Sequence, residues 1–151
     1  MEISVTFFEI FNLLYTRSPM KRLIIVLLLL TPFLHAEYKL EPYSQTLQKE
    51  HIPIVDIRTE GEWRESGIIK GAIPIQFFNE RGQYDIPAFL KALNAHVDTK
   101  KPFALICHTG SRTKMVAQFL SDELKYNVID IQGGMLAATK AHAPIVPYKS
   151  K

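Results

Sequence analysis

FALICHTGSRTKMVAQFLSDEL, residues 103–124, is the stretch that decides the fold. Phe103 to Cys107 form an unbroken apolar run, which fits a strand buried on both faces, as in a parallel sheet covered by helices. After Ser111 the period changes, and Met115, Val116, Phe119, Leu120 and Leu124 fall on one face of a helix. Two further runs of the first kind, PIVDI at 53–57 and NVIDI at 127–131, lie on either side. Ile86, Phe89, Leu90, Leu93 and Val97 mark a second amphipathic helix. Ala72 to Ile75, held by Gly71 and Pro74, supply a short strand, and Gly133-Gly134 turn into a short final helix over 135–141. Strands alternating with helices predict an α/β fold: a central, mostly parallel sheet flanked by helices on both faces. Residues 37–50 are polar and contain Pro42, and they read as a lead-in with one short helix and little function.

At 151 residues, 47% hydrophobic and 22% charged, the chain has room for one core of ordinary size. A net charge of +3 is too mild for nucleic acid, and no run of Lys or Arg tracks a phosphate backbone. A weakly basic surface suits small anionic partners instead. With Cys107 the sole cysteine, an intramolecular disulfide, a multi-cysteine zinc site and an iron-sulfur ligand set are all excluded. His51, His96 and His142 are too widely spread for metal-ligand spacing, so neither a metal nor an organic cofactor is expected.

The N-terminal region reads as an export signal. From Met20 the sequence is MKRLIIVLLLLTPFLHA, with a basic start, an apolar run over 23–30, and Pro32 before Ala36. Leu34 and Ala36 occupy the positions that signal peptidase reads, so residues 20–36 are expected to be removed and the mature chain to begin at Glu37, in the periplasm or outside the cell. The apolar run is shorter than the roughly 20 residues a membrane span needs, and an uncleaved N-terminal anchor is the alternative. Residues 1–19 carry apolar Phe7, Phe8, Ile10, Phe11, Leu13 and Leu14, which have no place in a signal's charged start, so translation is expected to begin at Met20. Residues 37–151 are then one domain.

The chemistry is expected in the six residues Cys107-His108-Thr109-Gly110-Ser111-Arg112. They follow a buried strand and precede a helix, and ligands of open α/β sheets bind at the carboxyl ends of strands. A loop of this kind can turn successive N–H groups inward as a nest for negative charge, and the helix N-terminus adds its partial positive charge. A thiolate at the centre of such a ring is favoured over the thiol, which predicts a Cys107 pKa below the free value of about 8.5. Gly110 sits where so tight a cup requires φ > 0 or close backbone approach. Thr109 and Ser111 supply short hydroxyls, and Ser111 is placed to cap the helix.

VDIRTEGEW, SGIIKGAIPI, ALICHTGSRT and NVIDIQGGM, in that order, closely resemble the rhodanese homology domain over roughly residues 45–146. The shared features are Asp56-x-Arg58, Glu62-Trp63, Gly71-Ala72 with Pro74, the Cys-x4-Arg loop, and Gly133-Gly134. The resemblance implies a sulfurtransferase or persulfide carrier in which Cys107 takes a sulfane sulfur from a small anionic donor such as thiosulfate. It then hands the sulfur to a thiol, sulfite or cyanide acceptor, or to a partner protein thiol. Phosphatases and arsenate reductases similar to rhodanese have one more loop residue, to hold a tetrahedral oxyanion, so the shorter loop here argues against phosphatase activity. The chain departs from the family at Gly67-Ile68-Ile69, Ala138 and His142, which bear on packing and rim shape.

The remaining site residues have two readings each. Arg112 either contacts an anionic substrate or ties the loop to Asp56 through a charged hydrogen bond, the tie being favoured. Arg58 either faces the pocket and binds a sulfonate or carboxylate, or is a solvated surface arginine. His108 lines the rim rather than acting as general base, since neighbours in a cupped loop point apart. Trp63, Phe77 and Phe78 are core or pocket wall. Two rival functions are a binding or sensing module without turnover, and a thiol redox protein that forms mixed disulfides through Cys107.

Overall fold

A computed structural model describes residues 38–150 of the chain. The expected signal at 20–36 and the upstream residues 1–19 lie outside the described residues. The strands are β1 (Tyr38–Pro42), β2 (Ile54–Asp56), β3 (Ile68–Ile69), β4 (Ile73–Pro74), β5 (Phe103–Ile106), β6 (Val128–Gln132) and β7 (Ile145–Val146). The helices are α1 (Gln45–Lys49), α2 (Glu60–Ser66), α3 (Ile86–His96), α4 (Ser111–Asp122) and α5 (Gly134–Lys140). No helix among the described residues is long and apolar enough to cross a membrane.

Five strands make the main sheet, in the order β1-β6-β5-β2-β4, and every pairing in it is parallel. β3 and β7 form a small antiparallel sheet beside it. The continuous apolar runs are explained by what lies on each face. Val55, Phe103, Leu105 and Val128 point to one side, where they pack with Phe89 and Leu93 of α3 and Val116, Ala117 and Leu120 of α4. Ile54, Ala104, Ile106, Ile129 and Ile131 point to the other, against Leu47 of α1 and Met135 and Ala138 of α5. Each fully buried Leu, Ile or Phe contributes about 1.5–3 kcal/mol by leaving water, so neither face tolerates a polar side chain cheaply.

The lead-in differs from the expectation. Tyr38–Pro42 is a strand, paired in register with Val128–Gln132 at the edge of the sheet. None of its five residues is fully buried, so its sequence, YKLEP, carries no apolar run. The short helix predicted after it is α1.

Asp56 and Arg58 close the carboxyl end of β2, and here too the structure corrects the reading. Arg58 is wholly buried rather than facing a pocket or solvent. Its guanidinium donates to both Asp56 oxygens (2.6 to 3.1 Å), to Ser66 Oγ (2.7 Å) and to the Gly67 carbonyl (2.7 Å). The pair therefore pins the end of β2 to the end of α2, where a cation is favoured by the free carbonyls. Asp56 is accordingly engaged by Arg58, not by Arg112. Alternate strand residues share a face, so two oppositely charged residues in Asp-x-Arg spacing point the same way and can close on each other. Asp56→Ala strands the Arg58 cation in the core and is expected to cost about 3–5 kcal/mol in urea unfolding, far more than an exposed ion pair.

Candidate active site

β5 delivers Cys107 to the carboxyl edge of the sheet, with β6 and β2 on either side of it. The residue is 0% exposed. Residues 108–113 fold over the sulfur. The Gly110 N–H donates to Cys107 Sγ over 3.2 Å, and the Thr113 hydroxyl lies 3.7 Å from it. Thr113 itself donates to the Gly110 carbonyl over 3.0 Å, so one side chain holds both the glycine and the sulfur. Gly110 has φ +92°, the left-handed conformation that its place in the loop calls for.

His108, Thr109 and Ser111 are exposed around the loop. Ser111 does not cap α4: Gly110 occupies the N-cap with no side-chain hydrogen bond, while the Ser111 hydroxyl meets that of Thr109 at 3.2 Å.

Below the loop lies Gly133-Gly134, more than the turn that the sequence suggests. The Met135 and Leu136 N–H groups at the start of α5 donate to the Cys107 and His108 carbonyls, over 2.8 and 3.2 Å. Gly134 has φ +57°, and a Cβ on it would lie 2.4 Å from the Cys107 oxygen and 2.7 Å from the His108 carbonyl. The loop thus rests directly on backbone, with no room for a side chain between.

Arg112 faces Glu62, not Asp56. Its two terminal nitrogens donate to Glu62 Oε2 and Oε1, over 2.7 and 2.6 Å, in a fork-to-fork pair. Glu62 is also the third residue of a capping box at the start of α2: its carboxylate accepts from the Thr59 N–H (3.0 Å) while Thr59 Oγ1 accepts from the Glu62 N–H (3.3 Å). The signature Thr-x-x-Glu was present in the sequence and marks this N-terminus. Outside the pair runs a groove of about 470 Å³, lined by Thr59, Glu62, Phe78, Asn79, Glu80, Gly82 and Arg112. Trp63 and Phe77 are in the core, and Phe78 forms part of the groove wall.

Burial raises the Glu62 carboxyl, but the hydrogen bonds from Arg112 and the Thr59 N–H, with the Arg112 and Arg58 charges, outweigh it and lower the pKa to about 2. Arg112 is held charged chiefly by its hydrogen bonds to Glu62, against its own burial, with smaller contributions from the Glu62 charge and from Cys107. The Glu62 shift gives a stability consequence of fixed sign. A carboxyl bound less tightly to its proton in the folded state stabilises the fold above its ordinary pKa, and that contribution disappears as pH falls to the folded value. Between about pH 4.3 and about 2, the protein is expected to lose denaturation midpoint more steeply than Glu62→Gln, which has no such proton to gain. Parallel slopes for the two proteins across this window would refute the assignment.

Residues 40–141 match the family described as Rhodanese-like domain. The Bacillus subtilis (strain 168) protein named "Putative sulfurtransferase YtwF" is 31% identical over 88 residues, which is 58% of this chain and 74% of that protein. Among solved structures, Rv0390 from M. tuberculosis superposes with a TM-score of 0.59 at 16% identity, covering 74% of this chain and all of the other. A rhodanese-related protein from Thermoplasma volcanium does so with a TM-score of 0.52 at 21% identity, covering 72% and 99%. At these identities the two structures bear on the fold alone, and they share it.

Proposed function

The chain belongs to the rhodanese-like domain family, and from that premise we propose that it moves a sulfane sulfur from a small anionic donor to a nucleophilic acceptor through a persulfide on Cys107. The observation that carries this reading is the Gly110 N–H held on Cys107 Sγ at the carboxyl end of β5. An N–H aimed at sulfur favours negative charge there, both on the attacking thiolate and on the persulfide that replaces it. The similarity to the protein named "Putative sulfurtransferase YtwF" supports the same class of reaction.

With thiosulfate as donor, the Cys107 thiolate attacks the outer sulfur, a new S–S bond forms, and the old one breaks with its electron pair leaving on sulfite. An acceptor such as cyanide then attacks the outer persulfide sulfur, and the S–S electron pair returns to Cys107. No net oxidation of the protein occurs, and the two displacements give ping-pong kinetics. The cup is small, and Cys107 is covered, so compact donors fit this chemistry better than bulky ones. The adjoining groove beside Arg112 and Glu62 is the approach for an acceptor.

The test uses the purified full chain. Thiosulfate treatment is expected to add about 32 Da to Cys107, the mass of one sulfur. Cyanide should remove that mass with turnover, and Cys107→Ser should abolish both. Absence of the adduct on folded protein would replace this reading by that of a binding module or of a thiol that forms mixed disulfides with a partner.

We propose in addition that the domain acts after export, on the strength of the Met20 to Ala36 signal pattern. N-terminal sequencing of the protein from its native cells should then begin at Glu37, and a start at Met1 or Met20 would overturn the cleavage.

A further inference from the structure

A buried carboxylate lies on the same face of the sheet as Cys107, and the sulfur transfer just described makes no use of it. Asp130, in the middle of β6, is 1% exposed. Its Oδ2 accepts the Tyr38 hydroxyl at 3.1 Å, while its Oδ1 has no hydrogen-bond partner. Asp130 stands in register with Leu105 of β5, two residues before Cys107. Side chains alternate along strands, so carboxyl and sulfur both face α4. Thr113 of α4, itself 0% exposed, stands between them. Its hydroxyl is 3.7 Å from Cys107 Sγ and donates to the Gly110 carbonyl over 3.0 Å.

An ionised carboxylate with an unpaired oxygen among Leu, Val and Phe side chains is costly, and a fold that keeps one requires a reason. Two acids buried on one face of adjacent strands oppose each other's ionisation. We propose that Asp130 is a positioning residue for Cys107, coupled to the sulfur across the buried face they share so that carboxyl and thiol together carry a single negative charge. The inference rests on the reading of Cys107 as the sulfur carrier and adds a means of regulating it.

In one state of the pair Asp130 holds the proton and Cys107 is a thiolate. Thr113 then keeps its own proton for the Gly110 carbonyl, which holds the Gly110 N–H on sulfur. In the other state Asp130 is ionised and repels charge on the sulfur. The groups facing the pair are Tyr38 from β1, Lys114 and Arg112 from α4, and, behind Arg112, Glu62 from α2; β5 presents only apolar Leu105 in register. Burial pushes the Asp130 carboxyl up, opposed by hydrogen bonds from Thr113 and Tyr38 and by the Lys114 charge. The Tyr38 hydroxyl is likewise pushed up, by burial first and then by Asp130.

Since the sequence holds one cysteine, the ultraviolet absorbance of the thiolate against pH reports Cys107 alone in the full chain and needs no sulfur donor. Asp130→Asn removes the competing charge at constant shape and is expected to move the thiolate midpoint down by about one pH unit. Tyr38→Phe removes the donor that favours ionised Asp130 and should move it the same way by less. If Asp130→Asn fails to fold, Tyr38→Phe carries the test by itself. An unmoved midpoint in the folded variant overturns the coupling, because a purely structural carboxyl would alter the unfolding midpoint and leave the thiol titration unchanged. A shifted midpoint in a protein that never accepts sulfur would sustain the coupling and refute the proposed function; normal sulfur transfer with an unmoved midpoint would do the reverse.

Discussion

The site depends on a contact between two stretches of backbone. Gly134 passes so close beneath the loop that a Cβ there would sit inside the van der Waals radius of the Cys107 and His108 carbonyls. Closeness lets the first free N–H groups of α5 reach those carbonyls, which answers two needs at once. A helix start has donors without partners, and a tight loop has carbonyls without partners. With its carbonyls turned down onto α5, the loop has N–H groups left for the opposite side, and there the Gly110 N–H meets the sulfur. A left-handed glycine is required at both ends of this arrangement, at Gly110 and at Gly134, for separate reasons: the first closes the cup, the second lets it sit low.

What the sequence made legible follows from what is local. β5, the loop and α4 are contiguous, and their periods are unmixed because the strand is buried on both faces while the helix has one wet side. The same holds for β2, β6 and α3. β1 was hidden because an edge strand with no fully buried residue need not be apolar, and β3 and β7, two residues each, are too short to carry a period. At the candidate site, the place of Cys107 after the strand and the left-handed Gly110 were legible from the loop itself. The partners of the arginines were not: Arg112 meets a residue 50 positions away, and chain proximity suggests nothing of the kind. Arg58 is the instructive case, since its partner was two residues away and in view. Opposite charges in i, i+2 spacing at the end of a buried strand are better read as a closed pair than as a free cation. Asp130 left a similar trace, a lone charge within an apolar run that is buried throughout.

These pairings decide which charges are available to a substrate. Arg58 is saturated by Asp56, Ser66 and Gly67, and Arg112 has both terminal nitrogens on Glu62, so neither guanidinium stands free to clamp an anion. The net charge close to the loop is therefore smaller than its arginines suggest. On the proposed reading, a donor at the loop would meet chiefly backbone dipoles and short hydroxyls, which are fixed in direction and reward a small group at one depth. A mobile cation would bind many anions at the rim; an N–H fixed on the sulfur favours charge on that one atom. Arg112 then serves the loop by tension rather than by attraction, tying the start of α4 to the start of α2 so that Gly110 cannot swing away from the sulfur. Selectivity for sulfur over bulkier or more diffuse charge would thus reside in the loop's length and in what holds it still, with the charged side chains acting mostly on one another.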